Sequence, residues 1–254
     1  MSGRYTFGDD DLAASRLALL AEVFEPSTRA LLAATVPTGA RRIVDLGCGP
    51  GHTTRLLADA CRPERVLGID RSEAFVARAR QGTEAANIDF AVGDATADPL
   101  PGTPGEVIYA RFLLAHLPNP AAVFRHWCAA LAPGGVMVVE EVEDIEAPPG
   151  VLTTYLELVS RLVGTEGATM RAGAVLQGLG GGTVGVPVDA ARAAGLFGRN
   201  LAVWRADALR KGLMSARELD ELAGALASAA RAPTGGVVRW TLRQLVGDRS
   251  MAHT

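Results

Sequence analysis

Val44-Asp45-Leu46-Gly47-Cys48-Gly49-Pro50-Gly51 is the stretch that decides how this chain folds. It closes a short β-rich run beginning at Arg41, and a helical pattern from Thr53 to Ala60 follows, so the local order is strand, glycine-rich turn, helix. Such a turn brings a ligand close to bare backbone at a helix N-terminus, where unpaired N–H groups point outward. The spacing is G-x-G-x-G, and His52 stands where the dinucleotide fingerprint G-x-G-x-x-G needs its last glycine. A nicotinamide cofactor is therefore a weaker reading than another nucleotide, and a purely structural turn is the plain alternative.

Outward from this turn the chain alternates. Val66 to Ile69 reads as a strand, Ser72 to Arg80 as a helix and Ile88 to Val92 as a strand, followed by a Pro/Gly-rich loop from Asp98 to Gly105. Glu106 to Arg111 is a fourth strand, Pro120 to Leu131 a helix stopped by Pro133-Gly134-Gly135, and Val136 to Val142 a fifth strand. Alternation of this kind predicts an α/β fold with a mostly parallel sheet and helices on both faces. Before it, Asp9 to Ala34 carries apolar residues at helical spacing, read as two segments broken or kinked at Pro26. After Pro148-Pro149-Gly150 the spacing predicts a helix over Val151 to Val163. Gly164 to Val186, rich in glycine and without assignable structure, is expected to be a lid. A helix over Val188 to Ala194 capped by Gly195 follows, with a strand over Leu196 to Trp204. Ser215 to Ala230 reads as a helix with Ser215 and Glu218 as a capping box, and Val237 to Val246 as the last strand.

Two acidic residues lie in register with the turn. The second strand ends in Gly68-Ile69-Asp70, about 20 residues on, where a carboxylate can accept from a ribose diol. The third leads into Gly93-Asp94-Ala95, where a carboxylate can accept from an exocyclic amine and the Ala95 N–H can serve a ring nitrogen. Together with Leu131-Ala132-Pro133-Gly134-Gly135, these motifs resemble the class I S-adenosylmethionine-dependent methyltransferases, from about Arg41 to Glu143. The resemblance implies a Rossmann-like three-layer sandwich. Its sheet has seven strands, mostly parallel with the last antiparallel, and carries N-terminal helices and a lid insertion after strand five. It implies S-adenosyl-L-methionine as cofactor, with Gly47, Gly49 and Gly51 lining its methionine end. Asp45 would orient the turn and the amino group, Asp70 would bind the ribose and Asp94 the adenine, with Arg71 and Ala95 beside the adenine and Arg111 near the cofactor. One methyltransferase domain over residues 1–254 is expected. Its parts are a helical cap (1–40), the cofactor core (41–146), a lid (147–195) and closing strands (196–254).

The chain's 254 residues are 48% hydrophobic, enough for one buried core. Twenty-five basic against 28 acidic residues leave a net charge of −3, which offers no field for a phosphate backbone, so nucleic acid is not an expected partner. Cys48, Cys61 and Cys128 form no CxxC pair and suggest neither a disulfide framework nor zinc. No signal peptide or membrane span is expected, and the reading is a cytoplasmic protein with its oligomeric state open, a homodimer being one option.

Transfer of a methyl group needs a positioned nucleophile and, at most, a base. His116 leaves the fourth strand at the sheet's carboxyl edge and is a candidate base, with capping of the next loop as the alternative. Glu141 is a second candidate; alternation puts Glu141 and Glu143 on one face and Glu140 on the other, with a solvated strand end as the alternative. Tyr5 and Phe7 could form an aromatic lid, and Glu143 and Tyr155 are candidate substrate contacts. His52 reads as a capping residue, and His126, Trp127 and Cys128 as packing. No carboxylate set suggests a metal, and Ala110-Arg111-Phe112-Leu113 stands where an Asn-Pro-Pro-Tyr motif would mark a nucleobase or glutamine acceptor. The expected substrate is a small molecule, with a secondary metabolite one class. A nicotinamide-dependent oxidoreductase and a cofactor-binding protein without transfer activity are the alternatives.

Overall fold

The computed structural model describes residues 11–165, 176–232 and 236–253. Its helices are α1 (Asp11–Thr35), α2 (His52–Cys61), α3 (Glu73–Gln81), α4 (Pro120–Ala129), α5 (Val151–Gly164), α6 (Ala190–Arg210) and α7 (Ala216–Ala229). The strands are β1 (Arg42–Leu46), β2 (Arg65–Asp70), β3 (Ile88–Val92), β4 (Gly105–Arg111), β5 (Leu131–Glu146), β6 (Gly182–Asp189) and β7 (Val237–Gly247). They form one sheet in the order β3-β2-β1-β4-β5-β7-β6. β1 to β5 pair in parallel, while β7 runs antiparallel to both β5 and β6. This order differs from the 3-2-1-4-5-6 arrangement of dinucleotide-binding sheets by the hairpin that inserts the last strand.

Period-two alternation in the buried strands sorts the core into two faces. Ile43, Val107, Tyr109 and Val138 pack with Leu31 and Leu32 of α1 and Leu57 of α2. Their neighbours Val44, Ile108, Ala110 and Val139 pack on the other face with Phe124 and Trp127 of α4. A third, larger cluster joins Phe24 of α1 to α5, α6, α7 and the inner side of β7 through Tyr155, Phe197, Trp204, Leu222 and Trp240. The first and last thirds of the chain thus build one helical layer beside the cofactor-side core.

A buried carboxylate ties α1 to the sheet. Glu140, fully buried, accepts from Thr28 Oγ1 at 2.5 Å, Tyr109 Oη at 2.8 Å and Gln244 Nε2 at 3.0 Å. Three donors from three elements compensate the cost of burying it.

Several expectations need correction. Pro26 lies inside one continuous α1. It removes a single backbone hydrogen bond, and Val23, Phe24, Leu31 and Leu32, buried on either side of it, hold the helix together. The strand expected over Leu196–Trp204 is part of α6, and Gly195 sits within that helix rather than capping it. A mid-helix glycine costs about 1 kcal/mol. The buried stripe Ala193, Leu196, Phe197, Asn200, Leu201 and Trp204, at helical spacing, outweighs it. The end of the stretch expected to lack structure and the first two residues of the helix expected from Val188 form the edge strand β6, Gly182–Asp189, whose Val184, Val186 and Val188 alternate; the helix itself starts at Ala190. Pro187 is tolerated there because the strand pairs on one side only. Residues 166–175 of that stretch lie outside the described residues. The Ser215–Glu218 capping box on α7 is present.

Candidate active site

The turn after β1 is fixed before any ligand arrives. Gly47 and Cys48 donate their backbone N–H groups to Ile69 O at 2.8 and 3.0 Å, which locks the turn against the end of β2. Asp70, at that end, accepts from Gly49 N–H at 2.8 Å through Oδ2 and from Ser72 N–H at 2.9 Å through Oδ1. One carboxylate therefore sets both the glycine turn and the start of α3, where Ser72 is the N-cap and accepts from Phe75 N–H. Gly49 has φ +52°, and a Cβ there would reach no closer than 3.5 Å to Leu17 of α1, so this backbone faces open space under α1. Gly51 differs: at φ +82°, a Cβ would fall 2.8 Å from Phe90 Cζ. It serves the packing of α2 on the sheet and does not line the cleft.

Asp45 lies under the turn, buried, with Oδ2 accepting from Thr53 and Thr54 hydroxyls at 2.7 Å each. Its Oδ1 has no hydrogen-bond partner. Burial pushes this carboxyl up to about 6, against the pull of the two hydroxyls and of nearby Arg111. Arg111 itself donates to Thr28 Oγ1 at 3.2 Å and lines the cleft. Asp94 is held below the usual carboxylate range, chiefly by the Thr96 backbone and hydroxyl donors at 2.7 Å and further by Arg71. The Ala95 carbonyl is occupied by Trp127 Nε1 at 2.7 Å.

Above the turn a cleft of about 590 Å³ opens at the carboxyl edge of the sheet, where ligands bind in open α/β folds; Asp45, buried beneath the turn, does not line it. Gly47, Gly49, Asp70, Arg71, Asp94, Ala95 and Arg111 all line it. His116 lines it too, from a short 3₁₀ turn, Leu114–His116. Its imidazole is open to the cleft yet enclosed by protein, and burial, then Arg16 and Arg71, lower its pKa, which favours the neutral ring. The cap of α4 is Asn119, which accepts from Ala122 N–H at 3.3 Å, so His116 is not spent on capping.

Glu141 also borders the cleft, but its Oε1 accepts from Leu113 N–H at 2.7 Å and Leu114 N–H at 2.5 Å. That geometry makes it the strut of the loop carrying His116. Glu143 is the extra residue of a bulge in the β5–β7 pairing and is bound by Arg243 at 2.5 and 2.9 Å, away from the cleft lining. Tyr155 forms part of the wall, with its hydroxyl buried and without a partner. Tyr5 and Phe7 lie outside the described residues. His52 borders the cleft beside Arg55, and burial, then Arg55, lowers its pKa to about 4.

The remaining wall went unread in the sequence. Arg16, Phe24, Phe112, Phe197, Asn200 and Trp240 line the cleft opposite the cofactor side. A signal existed for Arg16, which falls in the buried register of α1 with Ala13, Val23 and Phe24, where a cation is unexpected. Among the described residues no helix is long and apolar enough to cross a membrane.

Residues 43–135 match the family model described as "Methyltransferase domain". The chain is 40% identical over 119 residues to the trans-aconitate 2-methyltransferase of Variovorax paradoxus, covering 46% of this chain and 45% of that one. It is 36% identical over 117 residues to the enzyme of the same name from Streptomyces coelicolor, covering 44% and 38%. The matched stretch thus spans less than half the length of either relative. A crystal structure of an S-adenosylmethionine-dependent methyltransferase from Thiobacillus denitrificans, in complex with S-adenosylhomocysteine, superposes with a TM-score of 0.51 at 17% identity, over 89% of this chain and 90% of that one. Over residues 43–135 the chain is thus similar to S-adenosylmethionine-dependent methyltransferases, and its sheet order and glycine turn agree with the fold of such enzymes.

Proposed function

We propose that this protein transfers a methyl group from S-adenosylmethionine to a small-molecule acceptor, with secondary metabolites as the acceptor class. The observation that carries the reading is the continuity of the cleft from the Gly47–Gly49 turn and the Asp70 and Asp94 carboxylates into an apolar chamber under α1 and α6. The residues fit the cofactor: Asp45 keeps an unsatisfied buried oxygen under the turn, and Gly49 presents bare backbone to the open space of the cleft. In this reading Gly47, Gly49, Asp45 and Arg111 hold the methionine end, Asp70 the ribose diol, and Asp94, Ala95 and Arg71 the adenine. Gly51 supports the turn from behind. Bound there, the cofactor supplies an electrophilic methyl group on a sulfonium.

The chain's own work is orientation, exclusion of water and acceptance of one proton. His116, neutral in its setting, is the proton acceptor, and Glu141 fixes the loop that carries it. The relatives named for trans-aconitate act on a small acid, which agrees with an enclosed chamber rather than a docking face for a macromolecule. The test is incubation with S-adenosylmethionine and a metabolite extract, reading S-adenosylhomocysteine release and the methylated mass. Cofactor binding without release would favour a non-transferring member, and absence of binding would refute the reading.

A further inference from the structure

β4 ends at Arg111, which stands opposite Glu140 of β5 in the parallel register. Alternation puts Tyr109 and Arg111 on one face of the sheet, and Glu140 shares that face, since its carboxylate accepts from Tyr109 Oη. A cation and a carboxylate set opposite each other on neighbouring strands form a favourable cross-strand pair. Here a hydroxyl from α1 bridges the two. Thr28, fully buried, donates to Glu140 Oε2 at 2.5 Å and accepts from Arg111 Nη1 at 3.2 Å. A hydroxyl can do both because it has one O–H and two lone pairs.

The direction of these bonds is set from the buried end. Glu140 also accepts from Tyr109 and Gln244, so it acts as the acceptor of the group; the O–H of Thr28 points to it, and a lone pair of the same oxygen is left for the guanidinium. Arg111 is held on a second side by Phe112, whose ring centroid lies 5.6 Å from its guanidinium carbon. Thr28 and Glu140 do not line the cleft, whereas Arg111 does, so the fork is fixed from behind where it borders the ligand space.

Three arginines line the cleft, and their neighbours differ. Arg71 acts electrostatically on Asp94 at the adenine side and Arg16 on Tyr155 in the opposite wall, whereas Arg111 acts on Asp45 and His52 at the glycine turn. The methionine end assigned to that turn carries an ammonium and a carboxylate, and Asp45 and Arg111 are the complementary anion and cation beside it.

We infer, resting on the methyl-transfer reading above, that Thr28 is a positioning residue for the cofactor: its hydroxyl, aligned by Glu140, holds the Arg111 guanidinium where it takes the cofactor's carboxylate. α1 thereby acts on cofactor affinity through a side chain that does not line the cleft.

The experiment is calorimetric titration of the full chain with S-adenosylhomocysteine and with decarboxylated S-adenosylhomocysteine, which keeps the adenosine, the sulfur and the amino group. Wild type is expected to bind the first about tenfold or more tighter than the second. Arg111→Gln should bring that ratio to within about threefold of unity, and Thr28→Val should lower it by about threefold or more. Thr28→Ser, which keeps the hydroxyl, should restore it to within about twofold of wild type, and all three variants should bind the decarboxylated ligand within about twofold of wild type. In the double variant, Thr28→Val should add no further loss to that of Arg111→Gln, because both act on one contact. A merely structural role for Thr28 would weaken both ligands alike. If Thr28→Val does not fold, Thr28→Ala removes the same hydroxyl without setting a branched apolar group against Glu140 and must give the same result. Equal binding of the two ligands by wild type, parallel loss of both in the Thr28 variants, an unchanged ratio without the hydroxyl, or additive losses in the double variant would each overturn the inference. Failure of the wild type to bind S-adenosylhomocysteine would instead remove the methyl-transfer reading itself.

Discussion

Replacing Asp70 with alanine tests the cofactor side most sharply. The substitution removes the acceptor of the Gly49 and Ser72 N–H groups at 2.8 and 2.9 Å, and with it the carboxylate assigned to the ribose diol. Hydrogen bonds to a charged acceptor contribute about 1.5–3 kcal/mol each. Two bonds from the diol therefore amount to roughly 3–6 kcal/mol, or about a hundredfold to ten-thousandfold in Kd. Calorimetric titration should show S-adenosylmethionine and S-adenosylhomocysteine weakened alike, because the ribose is common to both. Asp70→Asn keeps one carbonyl acceptor without the charge and should fall between, about tenfold weaker than wild type. Loss of the Gly49 and Ser72 contacts also lowers fold stability by about 1–3 kcal/mol, so urea denaturation must accompany the titration to show that the variant is folded where binding is read. Affinity of folded Asp70→Ala within about threefold of wild type would refute the assignment, whatever the stability change.

Other outcomes follow from the same geometry. The folded Asp45 carboxyl, near 6, holds its proton more tightly than an unfolded aspartate near 4, so stability of the apo protein falls as pH rises through that window, by about 3 kcal/mol for this site alone. Asp45→Asn should flatten that part of the profile in urea unfolding. Gly51→Ala forces an L side chain to φ +82° and a Cβ to 2.8 Å from Phe90, which should cost about 2–4 kcal/mol in chemical denaturation, partly recovered by Phe90→Leu. Glu140→Leu strands the donors of Thr28, Tyr109 and Gln244 and should lower stability by about 3–5 kcal/mol, read as a fall in Tm. If His116 accepts the proton, kcat should rise with pH along a limb lying below the ordinary imidazole value near 6.5, and His116→Asn should abolish that limb with little change in cofactor Kd.

What the sequence makes legible is what local chemistry dictates. The glycines after β1, the carboxylates Asp70 and Asp94 and the Ser215–Glu218 box each announce themselves within a few residues, and the structure keeps them at strand ends and a helix start. The acceptor wall is legible only through long-range packing. α6 carries Gly195 and Gly198 beside β-favouring Phe197, Val203 and Trp204, so local propensity points to a strand, while its buried stripe, filled by alanines and Asn200, has the helical period. Arg16 and Asn200 are 184 residues apart and meet only because α1 packs on α6. The bracing role of Glu141 is hidden for a related reason: its partners are backbone N–H groups of a loop 27 and 28 residues away, which no side-chain pattern records.

The helical layer joins α1 to α5, α6 and α7, so the two ends of the chain meet in one packed body while the middle of the chain supplies the glycine turn and its carboxylates. A chimaera designed to carry a relative's acceptor preference on this scaffold must therefore exchange the N-terminal helix and the C-terminal segment as a set. Either one alone would join mismatched halves across the interface that bears Phe24, Phe197 and Trp240.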